Sequence, residues 1–298
     1  MKKTVLLTGA TGFLGSHLLE ALLAEGYPTV ILKRSFSDTW RIKHLLGRVK
    51  SYDVDKGQLE TAFEQQRIST IIHTACNYGR NNESISQIVE SNLMFGLRVL
   101  DACLKFDTDT FFNTDTFFNT DTLLQKHLNI YTLSKRQFLE WLKQQSDKIQ
   151  VVNLKLEHMY GPKDDAAKFI PWVISMLAAG APEIRLTRGE QKRDFIYIDD
   201  VVSAYMIVLA GSQTLPRFSS FDVGTGNIIT VKELLETIKR IYEKNFGKSQ
   251  ILLNFGALPY QEGEMMTVDV DNSALVDIGW TAKTGIEQGL HRIMISMK

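Results

Sequence analysis

A glycine-rich turn near the start of the chain constrains the fold more than any other feature. The segment TVLLTGATGFLGSHLLEALLAEG predicts a strand, a turn carrying Gly9, Gly12 and Gly15, and an amphipathic helix over 13–25. A strand that leads through such a turn into a helix directs backbone N–H groups and the positive end of the helix dipole at a pyrophosphate. The spacing predicts dinucleotide binding, with a purely structural tight turn as the alternative. The predicted contacts are Gly9, Thr11, Gly12, Phe13, Leu14 and Gly15.

Short apolar runs alternate with helical patterns through the first half of the chain, and the runs are apolar on both faces. This pattern predicts an α/β fold with a Rossmann-type doubly wound parallel sheet. After 149–156 the alternation of strand and helix patterns becomes irregular, which indicates a smaller mixed α/β lobe. We predict a dinucleotide-binding domain at 1–155 and a substrate lobe at 156–298. No linker rich in Gly, Ser or Pro separates them, so the chain is expected to cross more than once.

Composition excludes several classes of function. The 298 residues are 44% hydrophobic and carry a net charge of zero. Without a block of Lys and Arg, neither a nucleic-acid partner nor a membrane partner is expected. No apolar run is long enough to span a bilayer, and glycines interrupt any signal peptide, so a cytoplasmic location is predicted. Cys76 and Cys103 lack paired spacing; we expect two buried thiols and no metal site.

The end of the second predicted strand indicates which dinucleotide binds. Cofactors without a 2′-phosphate usually meet an acidic residue here, whereas this chain has Lys33, Arg34 and Ser35. Two cations and a hydroxyl favour the 2′-phosphate of NADPH or NADP. A solvated basic strand end is the alternative. Downstream, Asp53 is predicted at the adenine edge and Val54 beneath the ring, with a structural loop as the other interpretation.

Tyr131 and Lys135 lie four residues apart at the start of a predicted helix, so their side chains share one face. An ammonium near a phenol stabilises the phenolate, which predicts a lowered pKa for Tyr131. Lys135 is also placed to bond the nicotinamide ribose. Tyr131 is therefore predicted to exchange a proton with a substrate oxygen. An exposed helical Tyr and Lys pair is the alternative.

The hexapeptide FFNTDT is written twice in succession within 107–124. We expect a third catalytic group at the end of the strand before the Tyr131 helix, and TFFNTDT has an apolar start that ends in hydroxyls. Thr116 is predicted to bind the substrate and polarise its oxygen, and Thr114 is the alternative residue for this role. Thr122 lies only nine residues before Tyr131, so we expect too little chain there for a turn. The second copy is then predicted to be a loop or lid, whose Phe117 and Phe118 contact substrate or simply pack.

The motifs TGATGFLG, IIHTA, ESNLMFGLRVLDAC, YTLSK, LKLEHMYGP, RDFIYIDDVV and FDVGTG together resemble the extended short-chain dehydrogenase/reductase family, nearly from end to end. The resemblance implies that the N-terminal lobe binds the nicotinamide dinucleotide, that the C-terminal lobe binds a nucleotide sugar, and that the protein is a homodimer. It also implies cofactor contacts from Thr74, Ala75 and Asn92.

Within that family, TACNYGRNNESISQIVESN and LKLEHMYGPKDDAAKF are similar to the CDP-paratose and CDP-abequose synthases. That similarity implies a CDP-linked 4-keto deoxysugar as the substrate and a place in O-antigen deoxysugar biosynthesis. Arg193 is expected to bind the diphosphate, although a local salt bridge to Asp194 or Asp199 is the alternative. The arginine that relatives carry before Glu264 is Gln261 here. The substrate contacts implied are His158, Lys168, Phe169, Arg193 and Glu264.

Three reactions are compatible with these motifs. Dehydratases of the family need an Asp-Glu pair directly after the catalytic threonine, and Thr116 is followed by Phe117 and Phe118. Epimerases retain NAD, which fits poorly with Lys33 and Arg34. We therefore predict an NADPH-dependent 4-ketoreductase. A nucleotide-sugar epimerase and a non-catalytic NADPH-sensing protein of the same fold are the alternatives.

Overall fold

The computed structural model describes residues 2–106, 115–125 and 128–296. Two compact units make up the chain, one of Met1–Leu156 and Val202–Asp222 and the other of Glu157–Val201 and Val223–Lys298. The chain therefore leaves the first unit, returns to it and leaves again.

Strands in the described residues are β1 Thr4–Thr8, β2 Thr29–Lys33, β3 Lys50–Asp53, β4 Ile68–His73, β5 Thr116–Thr122, β6 Gln150–Leu156, β7 His158–Tyr160, β8 Glu183–Leu186, β9 Lys192–Tyr197, β10 Phe218–Val223, β11 Ile228–Thr230 and β12 Leu252–Phe255. The α-helices are α1 Phe13–Ala24, α2 Leu59–Gln65, α3 Ile85–Val89, α4 Phe95–Phe106, α5 Ile130–Gln144, α6 Phe169–Ala178, α7 Ile198–Gly211, α8 Val231–Phe246, α9 Ser273–Asp277 and α10 Ile286–Ser296. A π-helical turn, Glu90–Met94, joins α3 to α4.

The first unit is built on a seven-stranded sheet in the order β10-β6-β5-β4-β1-β2-β3. Every pair from β6 to β3 runs parallel. The strand order reverses between β1 and β4, so the carboxyl ends of these strands form the edge where doubly wound sheets bind their ligands. The predicted Rossmann-type fold is confirmed.

The sheet is parallel and buried because its strands are apolar on both faces. Val5, Leu6, Leu7, Ile71 and Ile72 are fully buried, as strands covered by helices on both sides must be. One large apolar cluster joins these strands to α2, α4 and α5. Between β2 and β3 the chain forms a 3₁₀ turn at Lys43–Arg48.

The second unit contains a three-stranded sheet, β11-β9-β7, and a two-stranded parallel sheet, β12-β8. Within the former, β7 and β9 are parallel and β11 is antiparallel to β9. Helix α8 begins with a capping box in which Thr230 and Glu233 each bond the other's backbone N–H. Across the described residues, no helix is both long enough and apolar enough to cross a membrane.

Candidate functional site

The glycine turn after β1 has the shape that a pyrophosphate cradle requires. Gly9 adopts a φ of +71°, and a Cβ there would lie 2.6 Å from the hydroxyl oxygen of Thr74 and 2.7 Å from the amide nitrogen of Ala75. A Cβ on Gly15 would lie 2.1 Å from the carbonyl oxygen of Gly9. Only glycine fits at either position, because the φ angle at Gly9 and the close backbone approach at both exclude a side chain.

The N-terminus of helix α1 has the features of an anion-binding site. Its N-cap is Gly12, which has no side chain to cap the first amides, and its first turn carries no acidic residue. Phe13 and Leu14 are buried, so only their backbones can face a ligand. The loop after β4 is fastened to the turn, since the Thr74 hydroxyl donates to the Thr8 carbonyl at 2.8 Å. The geometry fits a dinucleotide pyrophosphate at this edge.

The basic end of β2 is largely paired with acidic residues of the neighbouring β3 and its following turn. The Lys33 ammonium bonds the Asp53 carboxylate, and this bond lowers the pKa of Asp53. The Ser35 hydroxyl donates to Asp55 at 2.6 Å. Both Lys33 and Ser35 are therefore committed to protein partners, and Asp53 faces Lys33. Val54 packs against the apolar core.

Two arginines near this edge have aromatic partners instead. The Arg34 guanidinium lies 4.8 Å from the exposed ring of Phe36, and the Arg41 guanidinium lies 4.5 Å from the exposed ring of Trp40. Arg41 also donates to the Thr11 carbonyl at 3.4 Å, which links it to the glycine turn. Sequence reasoning missed Arg41, although its position shortly after β2 was a usable signal.

The second copy of FFNTDT forms β5, not a loop. Phe117 and Phe118 are fully buried in the sheet, so the prediction of a lid or of substrate contacts from these rings is wrong. Thr114 lies outside the described residues. The chain between Thr122 and Ile130, residues 123–129, is long enough for a strand-to-helix connection, which commonly takes about two to six residues.

The prediction that Thr116 is the catalytic hydroxyl is wrong because Thr116 begins β5. It pairs with Thr70 and Gln150, and its hydroxyl donates to the Gln150 side chain at 2.9 Å. The carboxyl half of the strand, from Asn119, which pairs with His73, to Thr122, lies about 10–20 Å further along at about 3.3 Å per residue. Thr120 and Thr122 are the hydroxyls at that end, and sequence reasoning missed Thr120.

Tyr131 lies in the first turn of α5, whose N-cap Asn129 bonds the Thr132 amide at 2.9 Å. The Tyr131 ring lies 4.8 Å from the ring of Tyr78, centroid to centroid. Lys135, one turn later, is buried. The shared face predicted for Tyr131 and Lys135 therefore points into the molecule, and the alternative of an exposed pair is wrong for Lys135.

The electrostatics of this pair differ from the prediction. Burial raises the pKa of Tyr131 well above its usual value, and the Cys76 and Asp121 charges raise it further while Arg80 opposes them. Burial also lowers the pKa of Lys135, against Cys76 and Asp121. The predicted acidic phenol is wrong for the chain as it stands, because desolvation is the largest influence on the pKa of Tyr131 and raises it. Tyr131 instead retains its proton.

An ion pair with a buried carboxylate joins the end of β5 to α5. The Arg136 guanidinium donates to the Asp121 carboxylate at 2.8 Å and to the Thr122 carbonyl at 2.8 Å. Asp121 also accepts from the Thr122 amide at 2.8 Å and from the Asn153 side chain at 3.1 Å. The carboxylate directly after Thr120 is therefore an acceptor in every one of these bonds. Sequence reasoning did not identify this pair.

Asn92, predicted to contact the cofactor, acts on the protein. Its side chain accepts from the Asn77 amide at 2.6 Å and donates to the Asn77 carbonyl at 2.8 Å and the Ser134 hydroxyl at 3.0 Å. The buried Asn92 side chain thereby holds the segment after β4 to α5. All of these bonds are to protein groups, which indicates that Asn92 positions the segment. Cys76 in that segment is half-buried, whereas Cys103 is buried as predicted.

In the second unit, Arg193 is already engaged by protein oxygens. It donates to the Glu264 carboxylate at 2.7 Å, to the Met265 carbonyl at 2.6 Å and to the Lys192 carbonyl at 2.8 Å. The alternative of a salt bridge to Asp194 or Asp199 is wrong, because the partner is Glu264. The structure thus brings together two of the residues predicted to bind the nucleotide.

The other predicted substrate residues also have acidic or aromatic neighbours. His158 bonds the buried Glu157 at 2.9 Å and packs on Phe195, with which it is paired across β7 and β9. Lys168 pairs with Asp164 at 2.8 Å. Phe169 begins α6 with 38% of its surface exposed, which leaves its ring accessible to a ligand. Glu157, adjacent to His158, is a further residue that sequence reasoning missed.

Comparison with known proteins gives the family. The model of the NAD dependent epimerase/dehydratase family matches residues 5–224. The chain belongs to this family. It is 36% identical to the CDP-abequose synthase of Salmonella muenchen over 100% of this chain and 99% of that protein. It is 34% identical to the CDP-abequose synthase of Salmonella typhimurium strain LT2 over 98% and 99% of the two chains.

The fold of this family member is also found in solved structures. The UDP-glucose 4-epimerase of Thermus thermophilus, solved in complex with NAD, superimposes with a TM-score of 0.81 over 98% of each chain at 22% identity. The predicted resemblance to the extended short-chain dehydrogenase/reductase family is confirmed.

Proposed function

We propose that this protein is an NADPH-dependent reductase of the 4-keto group of a CDP-linked deoxysugar, CDP-4-dehydro-3,6-dideoxyglucose, which it converts to CDP-paratose or CDP-abequose. The substrate class follows from the similarity to two CDP-abequose synthases over the full length. The observation that carries the reaction is the partly buried Tyr131, one helical turn before the buried Lys135; burial raises the pKa of its phenol, so the phenol is protonated near neutral pH. A ketone reduction needs a proton donor that is protonated at working pH, and Tyr131 meets that need.

The residues of the first unit have distinct roles in this proposal. The glycine turn from Gly9 to Gly15 binds the pyrophosphate through backbone N–H groups at the start of α1, while the Gly12 amide donates to the Gly9 carbonyl at 2.9 Å and closes the turn. When bound, NADPH supplies the hydride. Tyr131 donates its phenolic proton to the ketone oxygen, and the Thr120 hydroxyl donates a hydrogen bond to the same oxygen. Lys135 bonds the nicotinamide ribose and stabilises the phenolate left behind.

The bonding of Asp121, not the absence of any acid after the strand-end threonine, disfavours elimination. An acid does follow the strand-end threonine, since Asp121 follows Thr120. However, Arg136 and two further donors occupy that carboxylate. The second acid of a dehydratase is replaced by Thr122. The site therefore lacks an acid pair that could remove one proton and deliver another.

The preference for NADPH rests on Arg34 and Arg41 in this proposal. Lys33 and Ser35 are paired with Asp53 and Asp55, which leaves the two aromatic-stacked guanidinium groups as ligands for a 2′-phosphate. A planar guanidinium is suited to bidentate phosphate recognition. Thr74 and Ala75 border the same edge.

The second unit would bind the nucleotide. Arg193 with Glu264, His158, Lys168 and Phe169 offer cations for the diphosphate and an aromatic face for the base. We also propose that the protein is a homodimer, as the family resemblance implies, and that it is cytoplasmic, as the sequence predicts. Sedimentation velocity tests that assembly, and a single monomeric species at micromolar concentration would contradict it.

The test is NADPH oxidation against a panel of 4-keto nucleotide sugars, with NMR of the product. Thr120→Val is expected to lower kcat by about 10²–10³, the loss typical when a donor to a developing oxyanion is removed. Thr116→Val, the matched control on the same strand, is expected to keep most of its turnover. Equal losses from both variants, or loss from Thr116→Val alone, would overturn the assignment.

A nucleotide-sugar 4-epimerase that retains NAD is the second candidate. The pairing of Lys33 with Asp53 favours it, because that pair neutralises one of the cations expected to select NADPH. Conversion of a nucleotide sugar with catalytic NAD alone, and without net change in NADPH absorbance, would establish the epimerase. A protein that only senses NADPH would bind it and turn over none of the keto sugars.

A further inference from the structure

Thr120 has a buried phenol as its partner. The Thr120 hydroxyl lies 2.7 Å from the Tyr205 hydroxyl, and Tyr205 is fully buried on the part of α7 that belongs to the first unit. Among the described residues, Thr120 is the hydrogen-bond partner found for this phenol. A buried hydroxyl requires a partner, so the two groups are held together.

A threonine hydroxyl has one proton, and the direction of this bond decides where that proton points. If Thr120 donated to Tyr205, nothing would remain to donate to a substrate oxygen. If Tyr205 donates, the Thr120 proton is free.

The surroundings favour Tyr205 as the donor. A phenol is more acidic than an aliphatic hydroxyl and is therefore the stronger donor of the two. Burial raises the pKa of Tyr205, which keeps the phenol protonated and able to donate. The Thr120 oxygen then accepts from Tyr205 and turns its own proton outward.

We propose that Tyr205 is a positioning residue that orients the Thr120 hydroxyl, so that Thr120 presents its proton to the substrate oxygen that receives the Tyr131 proton. This inference rests on the proposed function of Thr120 in ketone reduction. It adds a residue from α7 that the family motifs around Thr120, Tyr131 and Lys135 do not contain.

A double-mutant cycle tests the proposal. Tyr205→Phe is expected to lower kcat about two- to tenfold, the range for one neutral hydrogen bond, with little change in KM or in NADPH affinity measured by fluorescence. Thr120→Val alone is expected to be much slower, and Tyr205→Phe is expected to cause no further loss in the Thr120→Val background. A structural role would instead lower kcat by the same factor in both backgrounds.

Tyr52→Phe is the matched control. It removes a mostly buried phenol oxygen from the same unit, one that bonds the side chains of Gln65 and Gln66, and it is expected to leave turnover unchanged. Full activity in Tyr205→Phe, or additive losses in the double variant, would overturn the role of Tyr205 and leave that of Thr120 intact. Full activity in Thr120→Val would overturn both roles. Melting temperatures verify that each variant is folded.

Discussion

The two units hold their functional groups by different means. In the first unit, Lys135 and Tyr205 are buried, Tyr131 and Thr120 are partly buried, and the Thr120 and Tyr205 hydroxyls share a hydrogen bond at 2.7 Å. Burial shifts the pKa of Tyr131, Lys135 and Tyr205 toward the uncharged form of each group. In the second unit, the predicted ligand-binding groups are held in ion pairs, such as Arg193 with Glu264.

Under the proposed function, this contrast matches two tasks. A group that transfers a proton must be in a defined protonation state before the substrate arrives, and burial fixes that state. A group that recognises a charged ligand must remain charged while the site is empty, and a carboxylate partner allows this until the ligand replaces it. Variants that change a buried titratable group and variants that break an ion pair should therefore have different effects.

The largest effect is expected from Tyr131→Phe. Without the proton donor, kcat for keto-sugar reduction should fall by about 10²–10⁴, with NADPH affinity nearly unchanged. Since burial raises the pKa of Tyr131, wild-type kcat/KM should show no alkaline fall from this group near neutral pH. Steady-state kinetics over a pH series measures both quantities. Turnover in Tyr131→Phe close to wild type would refute a proton-transfer role.

Burial in the first unit also predicts a dependence of stability on pH through His73. This side chain is fully buried, and desolvation lowers its pKa to about 3. The unfolded chain takes up a proton near pH 6.5 and the folded chain does not, so stability falls as pH decreases through this range. Between about pH 7 and pH 5, His73 should cost about 2 kcal/mol of unfolding free energy.

Urea denaturation at the two pH values checks this expectation. His73→Asn has no titrating imidazole, so its unfolding free energy should change by about 2 kcal/mol less than that of wild type between about pH 7 and pH 5. His44→Asn, at an exposed imidazole, should behave like wild type. An unchanged pH dependence in His73→Asn would contradict the assigned cause.

In the second unit, Arg193→Met should weaken CDP binding about tenfold, because a charge-assisted bond to phosphate contributes about 1.5–3 kcal/mol and part of it is offset by freeing Glu264. Arg240→Met removes an exposed guanidinium paired with Glu287 at 2.7 Å and should leave affinity unchanged. Isothermal titration calorimetry with CDP compares the two variants. Equal affinities would show that Arg193 serves only its ion pair.

The smallest effect is expected at the end of β2. Arg34→Ser should weaken NADPH binding by up to about tenfold and leave NADH binding unchanged, since only NADPH carries a 2′-phosphate. Lys33→Ala should change the NADPH to NADH ratio little, because its ammonium is committed to Asp53. Fluorescence titration with both cofactors gives the ratios. A larger loss from Lys33→Ala than from Arg34→Ser would reverse the assignment.

The sequence predicted the parts of the site that depend on the backbone. Gly9 and Gly15 could be assigned because the φ angle and close contacts at those positions admit no other residue, and their spacing records that constraint. The Tyr131 helix could be placed because its periodicity is sustained and Lys135 falls on the same face.

The sequence did not predict which copy of the hexapeptide forms the strand. Both copies have the same alternation, so hydrophobic pattern gives two equivalent registers, and the chain after Thr122 was wrongly judged too short. The ion-pair partners of Arg193 and Lys33 could not be predicted either, since Glu264 and Asp53 are brought close to them only by the tertiary structure. The pKa direction of Tyr131 was missed because burial cannot be read from a four-residue spacing.

The ion pair between Arg136 and Asp121 has a consequence for how such a site can change. A chain that lost this guanidinium would hold an unpaired carboxylate next to Thr120, and an apolar setting favours the protonated form of such a group. A new proton donor would thereby arise beside the reacting carbon without any change to Tyr131, Lys135 or Thr120. One exchange on the helix would thus supply one of the two acids that elimination needs, while Thr122 would still occupy the place of the other.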